Sequence, residues 1–181
     1  MTDEAVMELV KKGDLEKTSI LFERYQGMLY NFYLKLSFET ELSKDLTQNV
    51  FYRLIKYRNS YQSGMSFKAW FFQMARNLYK DHVSNQKNKR SRFSDLEKLG
   101  NIAAEKLQDT EQAEREKALY KALTLLDEDQ REIIILTKFQ KMKYNTIAEL
   151  MGITESAVKV KVHRAVKKLK GLYFMTEQNW I

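Results

Sequence analysis

The chain has 181 residues, with 31 lysines and arginines against 24 acids for a net charge of +7, a pI near 9.4, no cysteine and no proline. The lack of cysteine excludes disulfides, thiolate metal sites and a cysteine nucleophile and fits a reducing compartment; the lack of proline and the scarcity of glycine favour long helices with short turns. No stretch approaches the roughly 18 to 20 apolar residues that cross a bilayer, and the first twelve residues lack the basic start and apolar run of a secretory signal, so a cytoplasmic protein without membrane insertion is expected.

Residues 1–12 alternate acidic and apolar side chains. Helical spacing of apolar residues then predicts one helix through Leu21, Phe22, Tyr25, Leu29 and Phe32, a second through Leu42, Leu46, Val50 and Leu54, and a third from Phe67 to about Val83. Between the last two lies Tyr61-Gln62-Ser63-Gly64-Met65-Ser66, a polar loop bounded by aromatics. Phe67, Trp70, Phe71 and Met74 have the spacing of a core stripe, which leaves the loop as the better candidate for contact with an unpaired base.

The run Gln86-Lys87-Asn88-Lys89-Arg90-Ser91-Arg92 is too polar to pack, and apolar residues stay sparse from Phe93 to Glu114. Three segments are therefore expected: a helical domain over 1–92, a flexible linker over 93–115 and a second helical domain over 116–181. Charge follows a related division: residues 1–92 carry +6, residues 93–130 carry −5 and residues 131–181 carry +6. Two basic ends around an acidic middle suit a polyanion, although a basic surface alone can simply be solvated.

In the second domain, Ala118, Leu119, Ala122, Leu123, Leu125 and Leu126 predict an amphipathic helix. Asp127 fits an N-cap, with Gln130 placed to reach back to it, ahead of a second helix through Ile133, Ile134, Leu136 and Phe139. From Tyr144 to Lys159 a short helix carrying Ile147, Ala148, Leu150 and Met151 ends at Gly152, Ile153 plugs the turn, and Thr154 caps the next helix. This is a helix-turn-helix pattern.

On that last helix Val158, Val162, Ala165, Val166 and Leu169 share one side, while Ser156, Val160, His163, Arg164 and Lys167 share the other, flanked by Lys159 and Lys170. The polar side suits a DNA major groove: Arg164 and the lysines can donate to guanine edges or phosphates, and Val160 can meet a thymine methyl. The competing reading is an amphipathic helix whose outward charges only solvate it. His82 and His163 are the two histidines, too few for the three or four ligands of a metal site. No metal and no cofactor are assigned.

Asp45-Leu46-Thr47-Gln48-Asn49-Val50-Phe51, Ser66-Phe67-Lys68-Ala69-Trp70, Ala75-Arg76-Asn77-Leu78 and Asp81-His82 together resemble region 2 of the extracytoplasmic-function (ECF) group of sigma-70-type RNA polymerase sigma factors. Residues Leu126 to Glu132, Ile147 to Thr154, Ala157-Val158-Lys159 and His163-Arg164-Ala165 resemble region 4 of the same group, in the right order and spacing. The resemblance implies an all-α fold of two small helical domains, the second holding the helix-turn-helix. It implies a non-enzymatic factor that gives RNA polymerase recognition of the −10 and −35 promoter elements and helps melt the promoter.

By that resemblance Asp45, Gln48, Asn49 and Phe51 are candidate contacts to core RNA polymerase. Gln62, Ser63, Gly64 and Met65 are a candidate pocket for a flipped base, and Asn77, Lys80, Lys87 and Arg90 are candidates for the melted −10 strand. Ser156, Lys159, Val160, His163, Arg164 and Lys167 are the −35 candidates. An anti-sigma factor is the expected regulatory partner. Asn49 stands where the family often has glutamate, Asp127 where it often has proline, and Val160-Lys161 where serine and arginine are common, so promoter sequence does not transfer from relatives.

A stand-alone helix-turn-helix regulator is the alternative; it needs a dimer interface or effector pocket for which the chain shows no extra segment. An enzyme would need a phosphate-binding glycine loop or a nucleophile beside a histidine in a recognisable motif, and the chain has neither.

Overall fold

Thr2 opens the first helix by accepting a hydrogen bond from the Ala5 N–H at 3.2 Å, and Asp3 and Glu4 then face the positive end of the helix dipole. The computed structural model describes residues 1–87 and 111–178, all-α among those residues, with side chains to 86 and from 111 to 176. The helices are α1 (Asp3–Lys11), α2 (Thr18–Ser37), α3 (Thr40–Lys56), α4 (Phe67–Lys87), α5 (Glu111–Thr124), α6 (Glu128–Ile134), α7 (Tyr144–Met151) and α8 (Glu155–Gln178). A single π-helical turn, Ile135–Phe139, continues α6.

Helices α1 to α4 form the first bundle around rings. Phe67 and Phe71 stack at 5.2 Å, Tyr25 meets both edge-on at 5.3 Å, and Phe32 meets Phe72 edge-on at 5.5 Å. The expected core stripe of α4 is present, with Phe67 and Phe71 fully buried and Trp70 and Met74 half-buried. Buried phenols find backbone acceptors: Tyr33 donates to the Ala75 carbonyl at 2.9 Å and Tyr79 to the Leu36 carbonyl at 3.1 Å. Burial drives the Tyr33 hydroxyl far above its ordinary ionisation range.

Helices α5 to α8 surround an aliphatic core of Ala122, Leu123, Ile133 to Leu136, Ile147, Leu150, Val158, Val162 and Ala165. Helix α5 starts at Glu111, inside the stretch read from sequence as linker, and Leu125 lies beyond its end and is exposed. Residues 93–110 of that stretch, and the boundary at 92, lie outside the described residues. Asp127 occupies the N-cap position of α6 without a capping bond; its carboxylate instead accepts from Lys168 at 2.8 Å. The Gln130 side-chain oxygen is buried without a partner, so the expected capping box is absent.

The two bundles pack on each other, with α7 against α4 and the π turn against α2. The seam centres on the C-terminus of α2. Arg131 donates to the Leu36 carbonyl at 3.0 Å while also binding the Leu123, Thr124 and Leu126 carbonyls of its own domain. Its guanidinium lies 5.1 Å from the Phe38 ring centroid, and Lys35 lies 4.8 Å from that of Phe139 and 5.9 Å from that of Tyr120. Gln140 donates to the Met28 carbonyl at 3.1 Å, and Arg76 pairs with Glu132 at 2.8 Å, nearly out of water.

Phe38 closes α2 in the left-handed region at φ 58°, where a bulky side chain is strained. Its ring is held between Arg131 and an edge-on Tyr120 at 6.4 Å. Contacts across the seam thus keep the chain in a conformation its local preference disfavours.

Candidate nucleic-acid interface

Helical spacing sorts the residues of α3 onto two faces. Leu46, Thr47, Val50, Phe51 and Leu54 turn inward, and Asp45, Gln48 and Asn49 turn to solvent, where the Asn49 side-chain amide donates back to the Asp45 carbonyl at 3.1 Å. Phe51 is therefore corrected as a direct polymerase contact: it is 6% exposed, with its ring 4.8 Å from Phe22 and 5.3 Å from Phe71. Three residues after Asn49, Tyr52 continues the outward stripe and Lys56 follows one turn on; the sequence reading passed over both.

The loop between α3 and α4 carries the candidate base pocket. Gln62, Ser63 and Gly64 are exposed and Met65 is half-buried, with Gly64 at φ 89°, a conformation glycine adopts without penalty. The loop is braced from beneath by α1: Ser63 donates to the Glu8 carboxylate at 2.6 Å, Lys11 donates to the Tyr61 carbonyl at 2.7 Å, and Glu4 accepts from the Phe67 N–H at 3.2 Å. Inside the loop the Tyr61 hydroxyl donates to the Met65 carbonyl at 2.8 Å, and Ser66 accepts from the Ala69 N–H at 3.2 Å as N-cap of α4. Burial, together with the carboxylates of Glu4, Glu8 and Glu149, pushes the Tyr61 hydroxyl up to about 12, so it stays a donor through the physiological range.

These α1 residues are functional in the sense that they shape the loop, and the sequence reading missed them. A signal was present: Thr2 as a cap followed by Val6, Met7 and Val10 at helical spacing. What a single sequence could not convey is that α1 lies under a loop fifty residues away.

On α4, Asn77 and Lys80 are exposed on the side away from the core. Gln73 donates to the Asn77 side-chain oxygen at 2.9 Å, which leaves the Asn77 amide donors outward. Arg76 is drawn into the seam by Glu132. Lys80 borders an open crevice lined also by Val83, Ser84, Asp127, Glu128 and Asp129. Arg90 and the Lys87 side chain lie outside the described residues.

In the second domain, α7 ends in the left-handed turn at Gly152, φ 64°, and Thr154 caps α8 by accepting from the Ala157 N–H at 3.1 Å. Val158, Val162 and Ala165 are buried. Ser156, Lys159, Val160, His163, Arg164 and Lys167 are all exposed on the opposite side, as the sequence requires. Lys159 is 3.7 Å from Glu155, an exposed pair that binding a phosphate can exchange at little cost. The outward side of α8, and Asn77 and Lys80 on α4, therefore present side chains that the fold leaves largely unengaged.

Among the described residues no group of three histidines, aspartates or glutamates is placed to hold a metal ion, and no helix is long and apolar enough to cross a membrane.

Comparison with known proteins agrees with this arrangement. The family model described as Sigma-70 region 2 matches residues 21–89, and that described as Sigma-70, region 4 matches residues 116–169. The chain is 30% identical over 146 residues to the ECF RNA polymerase sigma factor EcfG of Rhodopseudomonas palustris, covering 80% of this chain and 78% of that one. It is 29% identical over 154 residues to the ECF RNA polymerase sigma factor SigM of Bacillus subtilis, covering 84% and 93%. Among solved structures, CnrH in complex with the cytosolic domain of CnrY superposes with a TM-score of 0.71 at 20% identity, covering 94% and 96% of the two chains. The sigma factor RpoE of Bartonella quintana, in complex with the anti-sigma factor NepR, superposes at 0.65 and 22% identity over 85% and 94%. At such identities the superpositions speak to the fold.

Proposed function

The chain belongs to the ECF group of sigma-70-type RNA polymerase sigma factors, and on that premise we propose how its residues divide the work of promoter recognition. The first domain, residues 1–92, meets core RNA polymerase through the outward stripe of Asp45, Gln48 and Asn49. Loop residues Gln62 to Met65 receive an extruded base of the −10 element, and Asn77, Lys80, Lys87 and Arg90 follow the melted strand. The second domain, residues 116–181, sets α8 in the major groove of the −35 element through Ser156, Lys159, Val160, His163, Arg164 and Lys167. The linker, residues 93–115, sets the separation of the two readers, and its acids take the place of nucleic acid inside the polymerase.

The observation that carries this reading is that the basic side of α8 and Asn77 and Lys80 of α4 stay exposed while the loop between α3 and α4 is braced by three side chains of α1. A preorganised loop loses less freedom when it closes on a base. The factor performs no chemistry; its contribution is binding and positioning. It acts in the cytoplasm with the polymerase, and its regulator is a protein of the anti-sigma kind, as for the structural relative RpoE, whose partner is the anti-sigma factor NepR.

The test is run-off transcription from a genomic promoter library with core polymerase. Promoter-specific transcripts that require this chain are expected. Duplex binding without any engagement of core polymerase would instead favour a stand-alone regulator.

A further inference from the structure

Of the residues that form the candidate base pocket, Gln62 and Ser63 carry polar side chains. The Gln62 amide both donates and accepts, so turning it over suits either kind of base edge. Ser63 has no such freedom. Its hydroxyl donates to the Glu8 carboxylate at 2.6 Å, and a carboxylate only accepts. The hydroxyl proton is therefore directed down onto α1, and what Ser63 turns to the pocket is lone pairs.

That direction is held although Ser63 itself is exposed. A hydroxyl-to-carboxylate bond is charge-assisted and stronger than a bond between neutral groups. To donate to a base carbonyl, Ser63 would exchange it for a neutral bond and leave the half-buried Glu8 without this donor. Glu8 is fixed in turn: Val6, Met7 and Val10 anchor α1 in the core, and Lys11 ties the helix to the Tyr61 carbonyl at 2.7 Å. Neighbouring donors are spent within the loop, the Tyr61 hydroxyl on the Met65 carbonyl and the Met65 N–H on the Gln62 carbonyl at 3.2 Å. Cytosine and adenine present an exocyclic amine where thymine and guanine present a carbonyl oxygen.

We propose that Glu8 is a positioning residue for base specificity: acting through Ser63, it makes the loop favour an extruded base with an exocyclic amine, cytosine or adenine, over thymine or guanine. The inference rests on the sigma-factor reading, which supplies the extruded base; the direction of the hydroxyl does not. Helix α1 lies outside the two stretches matched to sigma-70 regions 2 and 4, so those matches give Glu8 no role.

The test is transcription by core polymerase with the full-length chain from barcoded promoters randomised across the −10 element. One position should favour amine-bearing bases by about fivefold with the wild type, the factor carried by one hydrogen bond. Ser63→Ala should bring the ratio at that position to within about twofold of unity. Glu8→Gln should do the same, because a glutamine amide can donate to Ser63 as well as accept from it. In the double variant, Glu8→Gln should add nothing to Ser63→Ala. Lys11→Met removes the other tether without touching the hydroxyl; it should lower transcription from all promoters alike and leave the ratio within about twofold of the wild type. Ser63 is exposed and glutamine has the shape of glutamate, so both pocket variants should keep the wild-type thermal transition.

The proposal is overturned if Ser63→Ala relaxes no preference for amine-bearing bases, or if Glu8→Gln leaves that preference intact. It is also overturned if Glu8→Gln still changes the ratio in the Ser63→Ala background, since the acid then acts by its own charge, or if Lys11→Met erases the ratio as fully as Glu8→Gln. In each of these cases the wild type still directs transcription and the sigma role stands. A wild type that directs no transcription from core polymerase rejects the sigma role, and this proposal with it.

Discussion

The two domains solve the same problem, holding a binding surface rigid, with different materials. The first interlocks rings and ties their hydroxyls to fixed acceptors: Tyr25 to Asp3, Tyr33 to Ala75, Tyr61 to Met65 and Tyr79 to Leu36. The second contains small and branched aliphatics that let helices approach closely, and it sets its reading helix by backbone means, the Gly152 turn and the Thr154 cap. Edge-on ring contacts and phenol bonds are directional, so they fix an irregular loop. A regular helix-turn-helix needs only a turn of the right shape and a core that excludes water.

That contrast predicts that a ring lost from the first core does more damage than an aliphatic trimmed in the second. Phe71→Ala removes contacts to Tyr25, Phe51 and Phe67 and should lower stability by about 4 kcal/mol, against about 1 kcal/mol for Ile147→Val, read as shifts in urea midpoint. Equal losses would erase the distinction between the two cores.

The seam between the domains is polar where both cores are apolar. Glu132→Ala leaves Arg76 beside a buried surface without its counter-charge and should cost about 3 kcal/mol, whereas exchanging the pair together for methionine and leucine should be close to neutral. A double-mutant cycle separates the two effects.

Directional tethers are tested by Tyr33→Phe, which keeps the ring and deletes the bond to the Ala75 carbonyl; a loss of about 1 kcal/mol is expected in thermal unfolding. Its counterpart in the second domain is Thr154→Ala, also about 1 kcal/mol, with the affinity of α8 for duplex DNA falling alongside.

The smallest effect concerns pH. Burial raises the Glu132 carboxyl above its ordinary range, and Arg76 only partly opposes this. The folded protein therefore holds that proton at a pH where the unfolded chain has released it. Its contribution to stability is full below the unfolded value and is lost as pH rises through the folded one. Glu132→Gln should flatten that slope in a pH series of urea midpoints.

Local patterns made several features readable in advance. Residues 144–159 combine helical spacing, a glycine at a helix end and a threonine cap, each acting within a few residues. The stripe Phe67, Trp70, Phe71 and Met74 was readable as core for the same reason. Where a distant residue intervened, the local pattern held only in part: Asp127 occupies the N-cap position of α6, but Lys168, forty-one residues later, takes its carboxylate in place of the capping bond. Phe51 lies beside the outward stripe in sequence, yet helical rotation turns it onto Phe22 and Phe71.

The sequence by itself determined the helices from α2 onward apart from the start of α5, the division of charge, the two faces of α8 and the family to which the chain belongs, because each depends on residue type at short spacing. Only the tertiary structure decided that α1 braces the loop and that Arg131 and Glu132 join the domains. Those arrangements depend on which distant segments meet, and that is set by the packing of whole faces.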